Sequence, residues 1–157
     1  YSYDGKPLIR EFNGVRIKYI NDGDSYLLGA LRNVNTVDRY NILGIVFGTG
    51  VGGGLVVNKR LVYNAEVHQY FEKFMKENTL NDDNVDLVTS YIAIELKKII
   101  QLLNLDTVFI GGYVNKHIEF KDELVKKLEL SSFYNCELIF THDEDVLLKG
   151  LMYYRKN

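Results

Sequence analysis

The sequence has a single cysteine, almost no net charge and no long unbroken apolar run, and each shortage removes a class of protein. Cys136 stands alone, so no internal disulfide framework can form. No CxxC pair or histidine cluster spells out a structural zinc site, and a reducing, cytoplasmic compartment fits this cysteine usage. Nineteen basic and 21 acidic side chains leave a formal charge of -2, too small to draw the chain to nucleic acid or to an anionic membrane. The longest uncharged run, residues 40–58, is broken by glycines and a threonine, which suits a buried strand and loop and not a membrane helix. No signal-peptide pattern opens the chain. It begins with Tyr1 in place of methionine, so a processed or excised piece of something longer is expected.

What is present is material for one core. A chain of 157 residues that is 46% hydrophobic and 13% aromatic can close one domain, taken as residues 1–157, and is short for two. Residues 1–14 read as an irregular lead-in. Residues 15–20 alternate apolar and polar side chains in the manner of a half-buried strand, residues 21–24 form a polar turn, and residues 25–31 carry one apolar helical face, capped by Asp24 or Ser25. Strands are expected at 42–47, 55–57 and 61–63, with a glycine-rich turn at 48–54 and a short link at 58–60. Helices at 65–76 and 85–103 follow, then a strand at 107–110, a turn at Gly111 and Gly112, a helix at 118–130, a strand at 137–140 and a closing helix at 143–154. From Ile42 the order is βββαβαβα, an α/β arrangement with a mixed sheet flanked by helices on both faces.

The densest signal is Gly48-Thr49-Gly50-Val51-Gly52-Gly53-Gly54. Glycines let backbone N–H groups approach a phosphate and tolerate positive φ where a chain doubles back. A dinucleotide-binding turn requires a helix next, but residues 55–63 read as a hairpin, and no Gly-Lys-Ser/Thr follows to make a Walker loop. Two readings stay open: a phosphate cradle, or a tight hairpin without ligand.

These residues carry a family resemblance. GTGVGGGLV is similar to the second phosphate motif of ROK (repressor, open reading frame, kinase) sugar kinases, and residues 19–29, YINDGDSYLLG, resemble their "NDAN…LG" catalytic segment. The motifs come in the family's order and at about its spacing. VFIGGYV at 108–114 resembles the family's nucleoside-binding turn, and the end of the chain its final helix. The resemblance implies the ribonuclease H-like fold of the actin, hexokinase and chaperone ATPase superfamily, specifically the carboxy-terminal lobe, with the amino-terminal lobe absent.

It also implies roles. Asp22 would be the base that takes the proton of the attacking sugar hydroxyl, with Asn21 beside it on the sugar; the alternative for Asp22 is a helix cap. Asp24 stands where the family has asparagine. Glu66 and His68, in Asn64-Ala-Glu-Val-His68, resemble the family's "GEIGH" sugar-binding element, the alternative being a solvated helix face. Gly48, Thr49, Gly50, Gly52 and Gly53 would meet phosphate, and Gly111 and Gly112 the nucleoside. The complete protein would use ATP and Mg²⁺. The family's cysteine-rich zinc element is missing, so no zinc and no other protein-held metal is expected. Tyr113 replaces a glycine near the adenine path. Without the lobe carrying "DxGxT", phosphoryl transfer lacks much of its charge stabilisation, and the chain alone would be weak or inactive.

The leading expectation is the carboxy-terminal part of a hexose-type kinase that binds sugar and nucleotide. A sugar-sensing domain of a ROK repressor is the alternative, and a ligand-free interaction module the third. Dimers are common in the family, so a homodimer belongs with these expectations.

Overall fold

A computed structural model of the chain describes residues 8–32, 34, 38–128, 135–142 and 145–156. From Leu8 onward the lead-in expected to be irregular is a hairpin. Strand β1 (Leu8–Phe12) pairs antiparallel with β2 (Val15–Tyr19) across Asn13-Gly14, whose φ angles are 51° and 75°. Asn-Gly is the dipeptide that accepts two successive positive φ angles at least cost, so the turn was readable in the sequence.

The main sheet contains β3 (Ile42–Phe47), β4 (Val51–Val57), β5 (Arg60–Val62), β6 (Thr107–Gly112) and β7 (Glu137–Phe140), in the order β5-β4-β3-β6-β7. β4 runs antiparallel to β3 and β5, whereas β6 and β7 run parallel to β3. The link between β4 and β5 is the two-residue turn Asn58-Lys59, with φ of 50° and 63°, and Arg60 already belongs to the strand. Around the sheet lie α1 (Asp22–Leu31), α2 (Gln69–Glu77), α3 (Val85–Leu103), α4 (Ile118–Leu128) and α5 (Val146–Lys156). Two helices, α2 and α3, separate β5 from β6, so the order from Ile42 is βββααβαβα. Residues 129, 130, 143 and 144, placed in helices by the sequence pattern, lie outside the described residues.

Both sheet faces are covered, which is why the central strands are apolar at nearly every position. Leu43, Ile45 and Phe47 of β3 join Val108 and Ile110 of β6 under Val88, Ile92, Leu96 and Ile100 of α3 and Phe120 and Leu124 of α4. On the opposite face Ile42, Val56 and Phe109 meet Tyr26, Leu27 and Ala30 of α1 and Val146 of α5. Burying each large side chain stabilises the fold by about 1.5–3 kcal/mol before entropy is counted. No helix of the described residues is long and apolar enough to cross a membrane.

Helices α1 and α5 cross at glycines. A Cβ on Gly29 would overlap the carbonyl of Val146, and one on Gly150 the carbonyl of Ser25. Ser25 Oγ, inside the contact, donates to the Leu147 carbonyl at 2.9 Å. Helix α3 ends on Asn104, left-handed at φ 47° and ψ 53°, with Leu105 N–H returning to the Ile100 carbonyl at 3.0 Å. Asn104→Ala is expected to cost about 1 kcal/mol, because alanine lacks asparagine's tolerance of this conformation. Asn104→Gly is expected to cost nothing, and urea unfolding curves of both variants check the pair.

Candidate functional site

The site is built where α1 begins. Asn21, extended at φ -65° and ψ 148°, is the helix N-cap: its Oδ1 accepts from Gly23 N–H at 2.8 Å, and Asp22 Oδ1 accepts from the same N–H at 2.8 Å. The expected cap at Asp24 or Ser25 is therefore corrected. The helix starts three residues earlier, and both side chains sit buried within its first turn. Asp22 is left exposed, with its carboxylate at the positive end of the helix dipole.

The glycine run is only partly a turn. Gly48-Thr49-Gly50 turns the chain, with Gly48 N–H donating to the Gly50 carbonyl at 2.8 Å, while Gly52, Gly53 and Gly54 belong to β4. Gly52 and Gly53, expected in the cradle, lie within the strand and are closely packed. A Cβ on Gly54 would stand 2.5 Å from the Gly23 carbonyl oxygen, one on Gly53 would stand 3.0 Å from His68 N, and one on Gly23 would overlap Gly53 itself. Backbone-to-backbone packing of this closeness admits no side chain. Its consequence for the site is direct. A Cβ on Gly52 would lie 3.5 Å from Asp22 Oδ1, which places the exposed carboxylate beside the strand, two residues past the Gly50 turn.

The segment after β5 closes over the same place. It forms a short 3-10 turn (Glu66–His68) that runs into α2, not one helix from Ala65 as expected. Asn64, at φ 56°, donates its N–H to Asp24 Oδ2 at 3.0 Å. Asp24 has no exposed surface, and its Oδ1 has no hydrogen-bond partner. Burial pushes its carboxyl up to about 6 against the pull of the Asn64 N–H, and the charges of Asp22 and Glu66 add to the rise. The sequence reading expected Asp24 to contact a sugar, whereas the structure buries its side chain under Asn64. Asp24 fastens the loop that bears Glu66. Glu66 itself is exposed and accepts from Gln69 Nε2 at 3.1 Å, with His68 Nε2 at 3.5 Å.

Gly111 and Gly112 are the last residues of β6, not a turn. Gly111 is buried, because a Cβ there would meet the Tyr26 ring and hydroxyl at 2.6 Å; that hydroxyl bonds Thr141 Oγ1 at 2.9 Å. Gly112, at φ 94°, lies against the Phe47 carbonyl and is exposed. Past them Tyr113 opens a 3-10 turn (Tyr113–Lys116). Between Tyr113 and the Gly48-Thr49-Gly50 turn lies a cavity of about 240 Å³, with Glu72 and Lys76 of α2 on its wall.

All these parts gather at one end of the sheet, the carboxyl ends of β3 and β6, where open α/β sheets place their ligands. The sequence reading missed Glu72, Lys76 and Tyr26. The i,i+4 spacing of Glu72 and Lys76 was visible, but their approach to a turn some two dozen residues earlier depends on tertiary packing. Among the described residues no group of three or more His, Cys, Asp or Glu side chains is arranged to hold a metal ion.

The chain matches no protein-family model and no curated protein sequence. Solved structures match most of it. A ROK-family glucokinase from Streptomyces griseus, in complex with glucose and AMPPNP, superposes with a TM-score of 0.68 at 14% identity, over 92% of this chain and 70% of that one. A ROK hexokinase from Thermus thermophilus gives 0.62 at 14%, over 87% and 66%. A ROK-family transcriptional regulator, a homolog of the E. coli MLC protein, gives 0.56 at 13%, over 91% and 55%. The chain spans between 55% and 70% of these three structures. It therefore has the fold shared by ROK-family sugar kinases and a ROK-family transcriptional regulator.

Proposed function

We propose that this chain is the carboxy-terminal, ribonuclease H-like lobe of a ROK-type hexose kinase, with a sugar beside Asp22 and the phosphates of ATP at the Gly48-Thr49-Gly50 turn. The observation that carries this reading is the position of Asp22, exposed at a helix start and against Gly52 in the strand that leaves the turn. A carboxylate there is placed to take a proton from a hydroxyl as that oxygen attacks a phosphorus atom held near the turn. Asn21, next in sequence, and Glu66 would supply hydrogen bonds to ring hydroxyls. Thr49 and Gly50 suit a phosphate chain, since the space above Gly50 is open: a Cβ there would meet nothing within 4 Å. ATP, when bound, supplies the phosphoryl group. Mg²⁺ would accompany those phosphates, as it usually binds through substrate phosphates and one or two carboxylates. The strand order, with β4 alone reversed in the main sheet, supports the ribonuclease H-like assignment.

Calorimetry with glucose and with AMPPNP tests the proposal. Both are expected to bind, and Asp22→Asn is expected to weaken glucose about tenfold, the loss of one charge-assisted hydrogen bond, with only a small fall in melting temperature from the charge lost at the helix start. Absence of heat from both compounds refutes the reading. A sugar-sensing domain is the second reading. It is favoured by Tyr113, which lines the cavity beside the turn and would crowd a nucleotide base. Heat from glucose alone selects it.

A further inference from the structure

We infer that Lys76 of α2 is a phosphate-contacting residue of the cavity beside the Gly48-Thr49-Gly50 turn, held in place by Glu72 until a phosphate chain arrives. The inference rests on the proposed phosphate role of that turn and adds the cation which the turn lacks.

Three observations lead to it. The cavity has the turn on one side and Glu72, Lys76 and Tyr113 on the other, and Lys76 is the only Lys or Arg among its described lining residues. Backbone amides alone leave an anion's charge largely unbalanced, whereas an ammonium adds a full charge and three rotatable donors. The wall that carries this charge faces a turn whose Gly50 has open space above it.

Second, Lys76 is weakly held. Its Nζ lies 2.7 Å from Glu72 Oε1, one helical turn away, and its side chain is 62% exposed. An ion pair so exposed contributes little, and a phosphate oxygen is a stronger partner for an ammonium. Glu72 sits below the ordinary carboxylate range while the pair is made, first through the hydrogen bond from Lys76 and then through its charge.

Third, Glu72 is not stranded when Lys76 leaves. His68 Nε2 stands 4.0 Å from Glu72 Oε2 and 3.5 Å from Glu66 Oε2. Glu66 and His68 of the 3-10 turn and Glu72 and Lys76 of α2 thus follow one another in a row of neighbouring polar side chains. Moving Lys76 onto a phosphate leaves Glu72 facing His68, so no carboxylate is abandoned without a partner.

Inorganic tripolyphosphate and AMPPNP, each titrated into wild type, Lys76→Gln and Glu72→Gln, test the inference. Lys76→Gln is expected to weaken both ligands about tenfold, and Glu72→Gln, which releases the lysine, to tighten both. Melting temperatures within a degree or two of wild type, as expected for an exposed side chain, keep the comparison free of unfolding. Equal binding by all three proteins overturns the role of Lys76 while leaving the phosphate turn standing. A loss for AMPPNP alone also overturns it, since Lys76 would then serve the nucleoside. Wild type that binds neither ligand removes the turn and the lysine together.

Discussion

Gly29→Ala and Gly150→Ala are each expected to destabilise the protein by about 2 kcal/mol or more, read from urea unfolding monitored by circular dichroism. Alanine normally favours a helix over glycine by about 1 kcal/mol, so the sign depends on the crossing of α1 and α5. There the new methyl groups would overlap backbone carbonyls, of Val146 in one case and Ser25 in the other. Backbone cannot rotate aside as a side chain can. The helices must separate, which breaks the Ser25 to Leu147 hydrogen bond and loosens Val146 from Tyr26, Leu27 and Ala30. Because one separation accommodates both methyls, the double variant is expected to be far less unstable than the sum of the singles. Stabilisation by either single change would show that the helices do not cross at these glycines.

Asp24→Asn is expected to stabilise the protein at pH 7.5 by up to about 3 kcal/mol and to flatten its dependence on pH. The sign follows from the carboxyl at position 24, which rises from 3.8 in the unfolded chain to about 6 in the fold. Between these values the folded protein holds a proton that the unfolded chain has released. Stability is thus fully present below about pH 4 and falls as pH rises through about 6. The wild type then carries a buried carboxylate with one oxygen bonded to Asn64 N–H and the other to nothing. Asparagine keeps an acceptor for Asn64 and removes the charge. Asp24→Ala loses the acceptor as well, so it leaves the Asn64 N–H unpaired and is expected to be less stable than Asp24→Asn at every pH. Unfolding free energies measured from pH 4.5 to 8 decide the matter, and a wild-type profile without a decline across pH 5 to 7 would rule the account out. A charge kept at such cost beside Asp22 and Glu66 is the kind of local conflict found where function outweighs stability.

Much of the fold was legible because its periods are clean. Residues 42–47 and 107–110 carry apolar side chains on both faces, and residues 85–103 keep one broad helical face, so the sheet and its largest helix followed from the sequence pattern. The strand expected at residues 15–20 is present, but its partner at Leu8–Phe12 was missed although Asn13-Gly14 marks the turn between them. The glycine run misled in a more instructive way. Read by composition, seven residues looked like one loop, but Gly52, Gly53 and Gly54 are glycines because α1 and His68 press on β4, a fact about partners distant in the chain. The same limit applies to Asp24. Near a helix start a carboxylate is usually a solvated cap, and only the loop folded over it at Asn64 reveals that it is buried. By contrast, the nearness of Asp22 to the glycine segment, on which the kinase reading depended, is present in the structure.

The pairing of α1 with α5 also dictates when the chain can finish folding. Ser25 and the carbonyl it holds at Leu147 are 122 residues apart. On a ribosome adding about 5–20 residues per second, the first helix waits roughly 6–24 s for its last partner. A nascent chain halted shortly before Val146 would leave the Ser25 and Gly29 side of α1 uncovered, while Tyr26 and Leu27 already rest on the sheet.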